Sequence, residues 1–320
     1  MRVAVTGATG FVGGHLVAAL RDRGDAVRAL ARAPAPGLAA QGVEVVRGTL
    51  DDAAALARLV EGAEVVHHVA GAIAARSEAD FLRVNRDGTA RVAAAARAAG
   101  VRRFVYVSSV AVTGPTREGA PPDESAPPRP ISAYGRSKQA GEQATASSGV
   151  PFTIVRPPAV YGPRDKALLL FFRLARRGLA PVFGSGRQQL QVVFAADLAR
   201  ALLAAASAPT AEGRIYHAAH PVATSQRALG EAIASAVGRR VMRVRVPGLA
   251  LRSLLTLSGL AARVAGRVTP LDRDRARSLL APAWICSSDA LARDAGWRAA
   301  VDLRAGIEET ARWYLAAGWL

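Results

Sequence analysis

A chain of 320 residues, 51% apolar and 21% charged, is longer than one typical domain and carries enough apolar matter for a buried core. Its net charge of +17 comes from basic residues scattered as at Arg21, Arg58, Arg91, Arg200 and Arg293, with no stripe or reading motif, so no nucleic-acid partner is expected. A lone cysteine, Cys286, excludes a disulfide framework and a cysteine metal site, and suits a reducing, cytoplasmic location.

The chain opens Met1-Arg2-Val3-Ala4-Val5-Thr6-Gly7, a short strand running into a glycine turn, with no room for the apolar stretch of a signal peptide. Strands are expected at residues 3–5, 26–30, 43–46, 65–69, 104–107 and 152–155. Helical stretches at 13–23, 52–59, 87–99 and 134–147 lie between them. This alternation implies right-handed crossovers and an α/β fold with a doubly wound parallel sheet. The strands are nearly all-apolar, as expected where helices cover both faces.

Pro121, Pro122, Pro127, Pro128 and Pro130 mark a loop leading into the helix at Tyr134. Beyond Pro157-Pro158 the alternation weakens, and helices near 167–177 and 249–265 suggest a smaller, mostly helical substrate domain. The expected division gives residues 1–165 to the sheet domain, with 190–225 returning to it. Residues 166–189 and 226–320 then bind substrate. The apolar stretch from Val246 is broken by Pro247, Gly248 and Arg252, short of the roughly 20 apolar residues of a spanning helix, so no transmembrane segment is expected.

The run Val3-Ala4-Val5-Thr6-Gly7-Ala8-Thr9-Gly10-Phe11-Val12-Gly13-Gly14 is a strand, a glycine turn and a helix start. Gly7 lets the chain turn tightly, Gly10 removes a Cβ where a pyrophosphate must approach, and Gly13 lets the helix pack close to the sheet. Free N–H groups at the helix start suit phosphates. Following a strand and opening a β/α series, the pattern points to a Rossmann-type sheet that binds a nicotinamide dinucleotide. The second strand ends Leu30-Ala31-Arg32, without the acid that would bond a ribose 2′-hydroxyl. Arg32 can pair a 2′-phosphate bidentately, so NADP is expected, with NAD the alternative. The bland alternative is one more surface arginine in an arginine-rich chain.

Tyr134-Gly135-Arg136-Ser137-Lys138 places a phenol and an ammonium at i and i+4 on one helical face. A cation one turn away is expected to stabilise the phenolate and lower the phenol's pKa, so that Tyr134 can exchange a proton with a carbonyl or hydroxyl. A compact ammonium can also bond ribose hydroxyls. Of the 42 basic residues only Lys138 and Lys166 are lysines, and one of them stands here. The preceding strand ends Val107-Ser108-Ser109, at the end that faces the cofactor crevice, where Ser109 could donate to the substrate oxygen. Ser108 faces the other way.

With these residues in place, the chain resembles an extended short-chain dehydrogenase/reductase almost end to end. The likeness includes Val84-Asn85-Arg86-Asp87-Gly88-Thr89, Arg156-Pro157-Pro158-Ala159-Val160-Tyr161-Gly162-Pro163, Asp197-Leu198-Ala199, Gly296-Trp297 and Trp313-Tyr314. By this resemblance Tyr134 is the acid/base, Lys138 positions the nicotinamide ribose, Ser109 orients substrate and Asn85 supports the site. The cofactor would be held by Gly7, Thr9, Gly10, Phe11, Val12, Gly13, Arg32, Thr49, Leu50, Val69, Ala70, Asn85, Tyr134, Lys138 and Pro157. The resemblance also implies a homodimer packed through helices 87–99 and 134–147. One departure concerns adenine: the third strand usually ends Gly-Asp-Leu but here reads Gly48-Thr49-Leu50, so Thr49 must substitute or Asp51 must reach in.

The same scaffold hosts nucleotide-sugar epimerases and dehydratases, which hold a diphosphate with arginines. Leu190 stands where one such arginine is expected, and Leu279-Leu280-Ala281-Pro282-Ala283-Trp284 replaces a second, although Arg187 or Arg277 could compensate. Leu168-Leu169-Leu170-Phe171-Phe172 and the stretch from Leu249 to Leu260 could line an apolar pocket, or simply pack a core. The expected function is reduction of an apolar ketone or oxidation of the alcohol, resembling dihydroflavonol reductases and 3β-hydroxysteroid dehydrogenases. An epimerase or dehydratase is the alternative within the family, and a non-catalytic NADP-binding sensor the alternative of another class. His67 and His68 end a strand and are expected to point to opposite faces, with no metal site. The stretch from Leu249, near Arg243, Arg245 and Arg252, could instead touch a membrane surface.

Overall fold

Alternating apolar side chains on short strands bury two faces at once, and here they do so in a parallel sheet of seven strands. The structure, a computed structural model, describes residues 1–269 and 272–320. The strands are β1 (Arg2–Thr6), β2 (Ala26–Ala31), β3 (Glu44–Arg47), β4 (Val65–His68), β5 (Arg103–Val107), β6 (Phe152–Arg156) and a seventh at Arg214–His217. Their spatial order begins with Arg214–His217 and continues β6, β5, β4, β1, β2, β3. The order reverses between β1 and β4, so their C-terminal ends open the crevice where such sheets bind ligands.

Val3 and Val5 point to one face, where Leu16, Val17 and Leu20 of the helix Phe11–Asp22 meet Leu198 and Leu202 of the helix Ala195–Ser207. Ala4 points to the other, which is filled by Leu56 and Leu59 of the helix Ala53–Val60 and Val92 and Ala96 of the helix Thr89–Ala98. The seventh strand lies outside those expected from the alternation. Its four residues include Arg214 and His217, and it registers on β6 from Arg214 opposite Thr153 to His217 opposite Arg156.

The helix expected from residue 87 starts earlier. Ser77 caps it by accepting from the Asp80 N–H at 3.1 Å, and Glu78 and Asp80 in the first turn complement the helix dipole. Between Arg83 and Gly88 the helix widens into a π-helical turn before continuing as Thr89–Ala98.

Beyond the sheet lie the helices Leu169–Arg176, Gln226–Ala236, Gly248–Val264, Arg273–Leu280, Asp289–Ala295 and Leu303–Ala316. They are joined by short strand pairs, of which Leu179–Phe183 beside Met242–Val246 is the longest. Asp197 fastens the C-terminal segment to the helix Ala195–Ser207: its buried carboxylate accepts the Val301 N–H at 2.9 Å, and its carbonyl accepts the Trp297 indole N–H at 3.1 Å.

Candidate active site

The glycine turn has the shape that phosphate approach requires. Gly7 sits at φ +75°, and a Cβ there would lie 2.6 Å from the Ala70 nitrogen, so only glycine lets β1 and the segment after β4 come this close. Gly10 donates to the Gly7 carbonyl at 2.9 Å and is the N-cap of the helix, with no side-chain cap on the first-turn N–H groups. Thr9 and Gly10 are exposed, and Phe11 and Val12 are half-buried. Gly13 is buried against the backbone of Gly7 and Ala8. These features fit a dinucleotide pyrophosphate: an open helix start, exposed backbone and no side chain in the way.

Arg32 follows the last residue of β2 and is exposed, with no ion pair among the described residues. Thr49 is exposed too, but its hydroxyl already accepts the Asp51 N–H at 3.2 Å, and the Asp51 carboxylate is held by Arg91 at 2.8 Å. Leu50 packs on the core below, against Gly88.

The helix that carries the candidate pair, Ala133–Ala146, begins on a Ser132 cap whose hydroxyl accepts the Gly135 N–H at 3.0 Å. Asp274 adds a second acceptor at the same end, for the Ala133 N–H at 2.9 Å. Tyr134 and Lys138 rise from this helix toward the end of β5. Ser109, just past β5, caps a short 3₁₀ turn and accepts the Ala111 N–H at 3.1 Å, which fixes its rotamer beside the phenol.

Burial raises the pKa of the Tyr134 phenol, and the nearby Ser109 hydroxyl opposes the rise. The sequence expectation was the reverse, a phenol lowered by the neighbouring cation. The reason is where Lys138 points. Its ammonium donates to the Val107 carbonyl at 2.7 Å and lies 4.7 Å from the centre of the Tyr106 ring. Burial lowers Lys138 itself to about 8, with Glu142 one turn on pulling the other way.

Asn85 is 1% exposed in the π-helical turn. Its amide accepts from the Ala72 N–H at 2.8 Å, donates back to the Ala72 carbonyl at 3.0 Å and donates to the Ser137 hydroxyl at 2.9 Å. It thereby pins the loop after β4 to the helix Ala133–Ala146. A Cβ on Gly71 would lie 3.2 Å from the Lys138 nitrogen, so this loop passes directly over the ammonium. Val69 and Ala70 follow β4, with the Ala70 N–H on the Thr6 hydroxyl at 3.3 Å. Pro157 is buried after β6, its carbonyl accepting the Val110 N–H at 3.1 Å.

Sequence reasoning missed a relay of buried groups behind these residues. Thr6, the last residue of β1, bonds His68 Nδ1 at 2.7 Å; His68 Nε2 bonds the Thr89 hydroxyl at 3.0 Å; and Thr89 donates to the Asn85 carbonyl at 2.7 Å. Burial lowers His68 to about 3, so it stays a neutral bridge. The signal was a histidine ending an apolar strand next to threonines at both neighbouring element ends. Glu142 was missed as well. It holds Arg156 and accepts from the Ser108 hydroxyl at 2.5 Å, which is the role of the serine that faces away from the crevice.

The family described as NAD dependent epimerase/dehydratase matches residues 3–219. The chain is 36% identical to the ceramide reductase of Caulobacter vibrioides (strain NA1000 / CB15N), over 99% of this chain and 96% of the relative. It is 30% identical to the 2-alkyl-3-oxoalkanoate reductase of Stenotrophomonas maltophilia (strain K279a), over 96% and 97%. Among solved structures, MoeE5 in complex with UDP-glucuronic acid and NAD superposes with a TM-score of 0.80 at 26% identity, covering 99% of this chain and 100% of that one. A glycine turn shaped for pyrophosphate, a phenol and serine at the mouth of the crevice, and full-length likeness to reductases lead to one conclusion: this chain belongs to the NAD dependent epimerase/dehydratase family and is an NAD(P)-dependent oxidoreductase of the extended short-chain dehydrogenase/reductase type.

Proposed function

We propose that the enzyme transfers hydride between NADP(H) and the ketone or secondary-alcohol carbon of a long apolar substrate. The observation that carries this reading is likeness along nearly the whole chain to two relatives named as reductases, of a ceramide and of a 2-alkyl-3-oxoalkanoate. When bound, the nicotinamide supplies or accepts the hydride. Residues 1–165, with 190–225, hold the cofactor, and residues 166–189 with 226–320 shape the substrate side.

Tyr134 donates its proton to the carbonyl oxygen as hydride arrives. A phenol kept protonated by burial is suited to that acid role at neutral pH, and Ser109 shares the oxygen's hydrogen bonding. Lys138 and Asn85 hold the ribose side, and Pro157 closes the crevice. Gly7, Thr9, Gly10, Phe11, Val12 and Gly13 receive the pyrophosphate, while Thr49, Leu50, Val69 and Ala70 flank the adenosine half. Arg32, exposed and unpaired among the described residues, takes the 2′-phosphate.

The apolar side is supported by Phe171 and Phe183, whose rings meet edge to face at 6.2 Å, and by Leu190, which stands where a sugar-nucleotide enzyme is expected to carry an arginine. A homodimer would form through the helices Thr89–Ala98 and Ala133–Ala146. The groove between them, about 500 Å³, is lined by the small side chains of Ala90, Ala94, Ala98 and Ala144, with Arg97 reaching across one end to the Ser148 carbonyl at 3.0 Å.

The test is NADPH oxidation with a panel of long-chain ketones, run with the wild type and with Arg32→Ala. Turnover of apolar ketones, with KM for NADPH raised about tenfold and KM for NADH unchanged in the variant, is the expected result. The second reading, favoured by the sugar-nucleotide complex of MoeE5, is an epimerase. Interconversion of a UDP-sugar without net cofactor oxidation would replace the reductase reading with it.

A further inference from the structure

We propose that one face of the helix Gly248–Val264 is a docking surface for an anionic lipid bilayer. The helix buries Leu251 and Leu255 against Phe183, Val246 and Leu280. Its opposite face leaves Leu249, Leu254, Leu257 and Leu260 in water, at 78%, 62%, 64% and 58% exposure. At 100° per residue these four project within a single arc of about 140°, with Ala250, Ser253 and Ala261 between them. No charged residue interrupts the arc.

Charge decides which occupant fits. From Ala232 to Thr269 the sequence holds no aspartate or glutamate. Arg239, Arg240, Arg245, Arg252 and Arg267 are exposed, and none forms an ion pair among the described residues. An apolar helical face flanked by Arg252, with Arg245 just before the helix, complements acyl chains beneath anionic headgroups, and Glu231, the nearest acid before this stretch, is already held by Arg227 and Arg243. A second copy of this chain fits worse, because a two-fold contact through the face would bring the same arginines against each other.

The helix lies on the bilayer and does not cross it. Its 17 residues span about 25 Å, short of a ~30 Å hydrocarbon core, and no described helix is long and apolar enough to cross a membrane. The helix Arg273–Leu280 packs beneath it through Ala276 and, at Asp274, bonds the first residue of the helix Ala133–Ala146. One helix thus separates the lipid-facing side from the catalytic centre. The surface does not depend on which reaction the centre runs.

The experiment is co-sedimentation of the full chain with vesicles of phosphatidylglycerol and phosphatidylcholine, and with vesicles of phosphatidylcholine alone. Two variants are compared, Leu254→Gln with Leu257→Gln, and Arg245→Gln with Arg252→Gln. All four positions are exposed, and far-ultraviolet dichroism and size exclusion check the fold and the assembly. The wild type is expected to sediment with the anionic vesicles and to be released by salt. The arginine pair should lower the partition coefficient about 25-fold, and the leucine pair at least as much. The proposal is overturned if the wild type stays in the supernatant, if it binds pure phosphatidylcholine equally well, or if both variants sediment like the wild type. A leucine variant that falls from dimer to monomer also overturns it, because a second copy would then cover the face.

Discussion

Glu142 and Arg156 close a bidentate ion pair between the helix Ala133–Ala146 and β6, with Nε at 2.8 Å from Oε1 and Nη2 at 2.6 Å from Oε2. The side chains are 3% and 7% exposed for Arg156 and Glu142, so neither charge has water to fall back on. Removing Glu142 leaves the Arg156 charge buried without its acceptor. Glu142→Ala is expected to cost about 3–5 kcal/mol in urea unfolding, and Glu142→Leu with Arg156→Leu considerably less. A single-variant loss under about 1 kcal/mol would show that the pair carries little.

At the centre itself, Tyr134→Phe removes the proposed proton donor and leaves the ring, whose edge-to-face contact with Phe81 at 6.1 Å persists. The variant should keep cofactor affinity, read by fluorescence titration of NADPH, while kcat falls about 10²–10⁴-fold. Ser109→Ala should lower kcat less. If Tyr134→Phe turns over at the wild-type rate, the proton comes from elsewhere.

Lys138 makes a pH-dependent prediction. Burial lowers it from 10.5 to about 8, so between about pH 8 and 10.5 the folded chain has released a proton that the unfolded chain still holds. Its contribution to stability therefore rises with pH across that window. The stability difference between wild type and Lys138→Met, measured at pH 7.5 and pH 9.5, should move in favour of the wild type at the higher value. A difference that does not change with pH would contradict the burial of the ammonium.

Three buried histidines set the acid limit. Burial lowers His67 and His68 to about 3 and His217 to about 4, against 6.5 in an ordinary imidazole. As pH falls below about 6.5 the unfolded chain takes up protons that the fold refuses. The stability each histidine contributes is thus whole above 6.5 and is lost as pH falls toward its folded value. Urea midpoints taken from pH 6.5 to pH 5 should drop, and His67→Gln should flatten the slope; His67 has neither ring nitrogen paired among the described residues. A slope unaltered by that substitution would assign the acid sensitivity to other groups.

The parts of this architecture legible in the sequence are those written in adjacent residues. Gly7, Gly10 and Gly13 sit in one turn, and Tyr134 and Lys138 are one helical turn apart, so spacing alone brings them together. What was not legible depends on distant segments. His68 meets Thr6 from 62 residues away, and Asp274 reaches Ala133 across 141. The direction of the Lys138 ammonium was hidden for the same reason: i,i+4 spacing sets which face it leaves, and the Val107 carbonyl on a separate strand sets where it ends. Arg214–His217 carries too little apolar pattern to announce a strand, and it is the neighbouring β6 that makes it one.

The scarcity of lysine gives this enzyme a built-in reporter. Its two lysine amines occupy opposite situations: Lys138 is sealed in the centre at 4% exposure, and Lys166 is exposed, 5.8 Å from the Trp319 ring. Isotopic dimethylation would therefore yield a spectrum with one surface resonance and one from the heart of the protein, beside the amino terminus. The slow appearance of the second signal would clock how often the crevice opens.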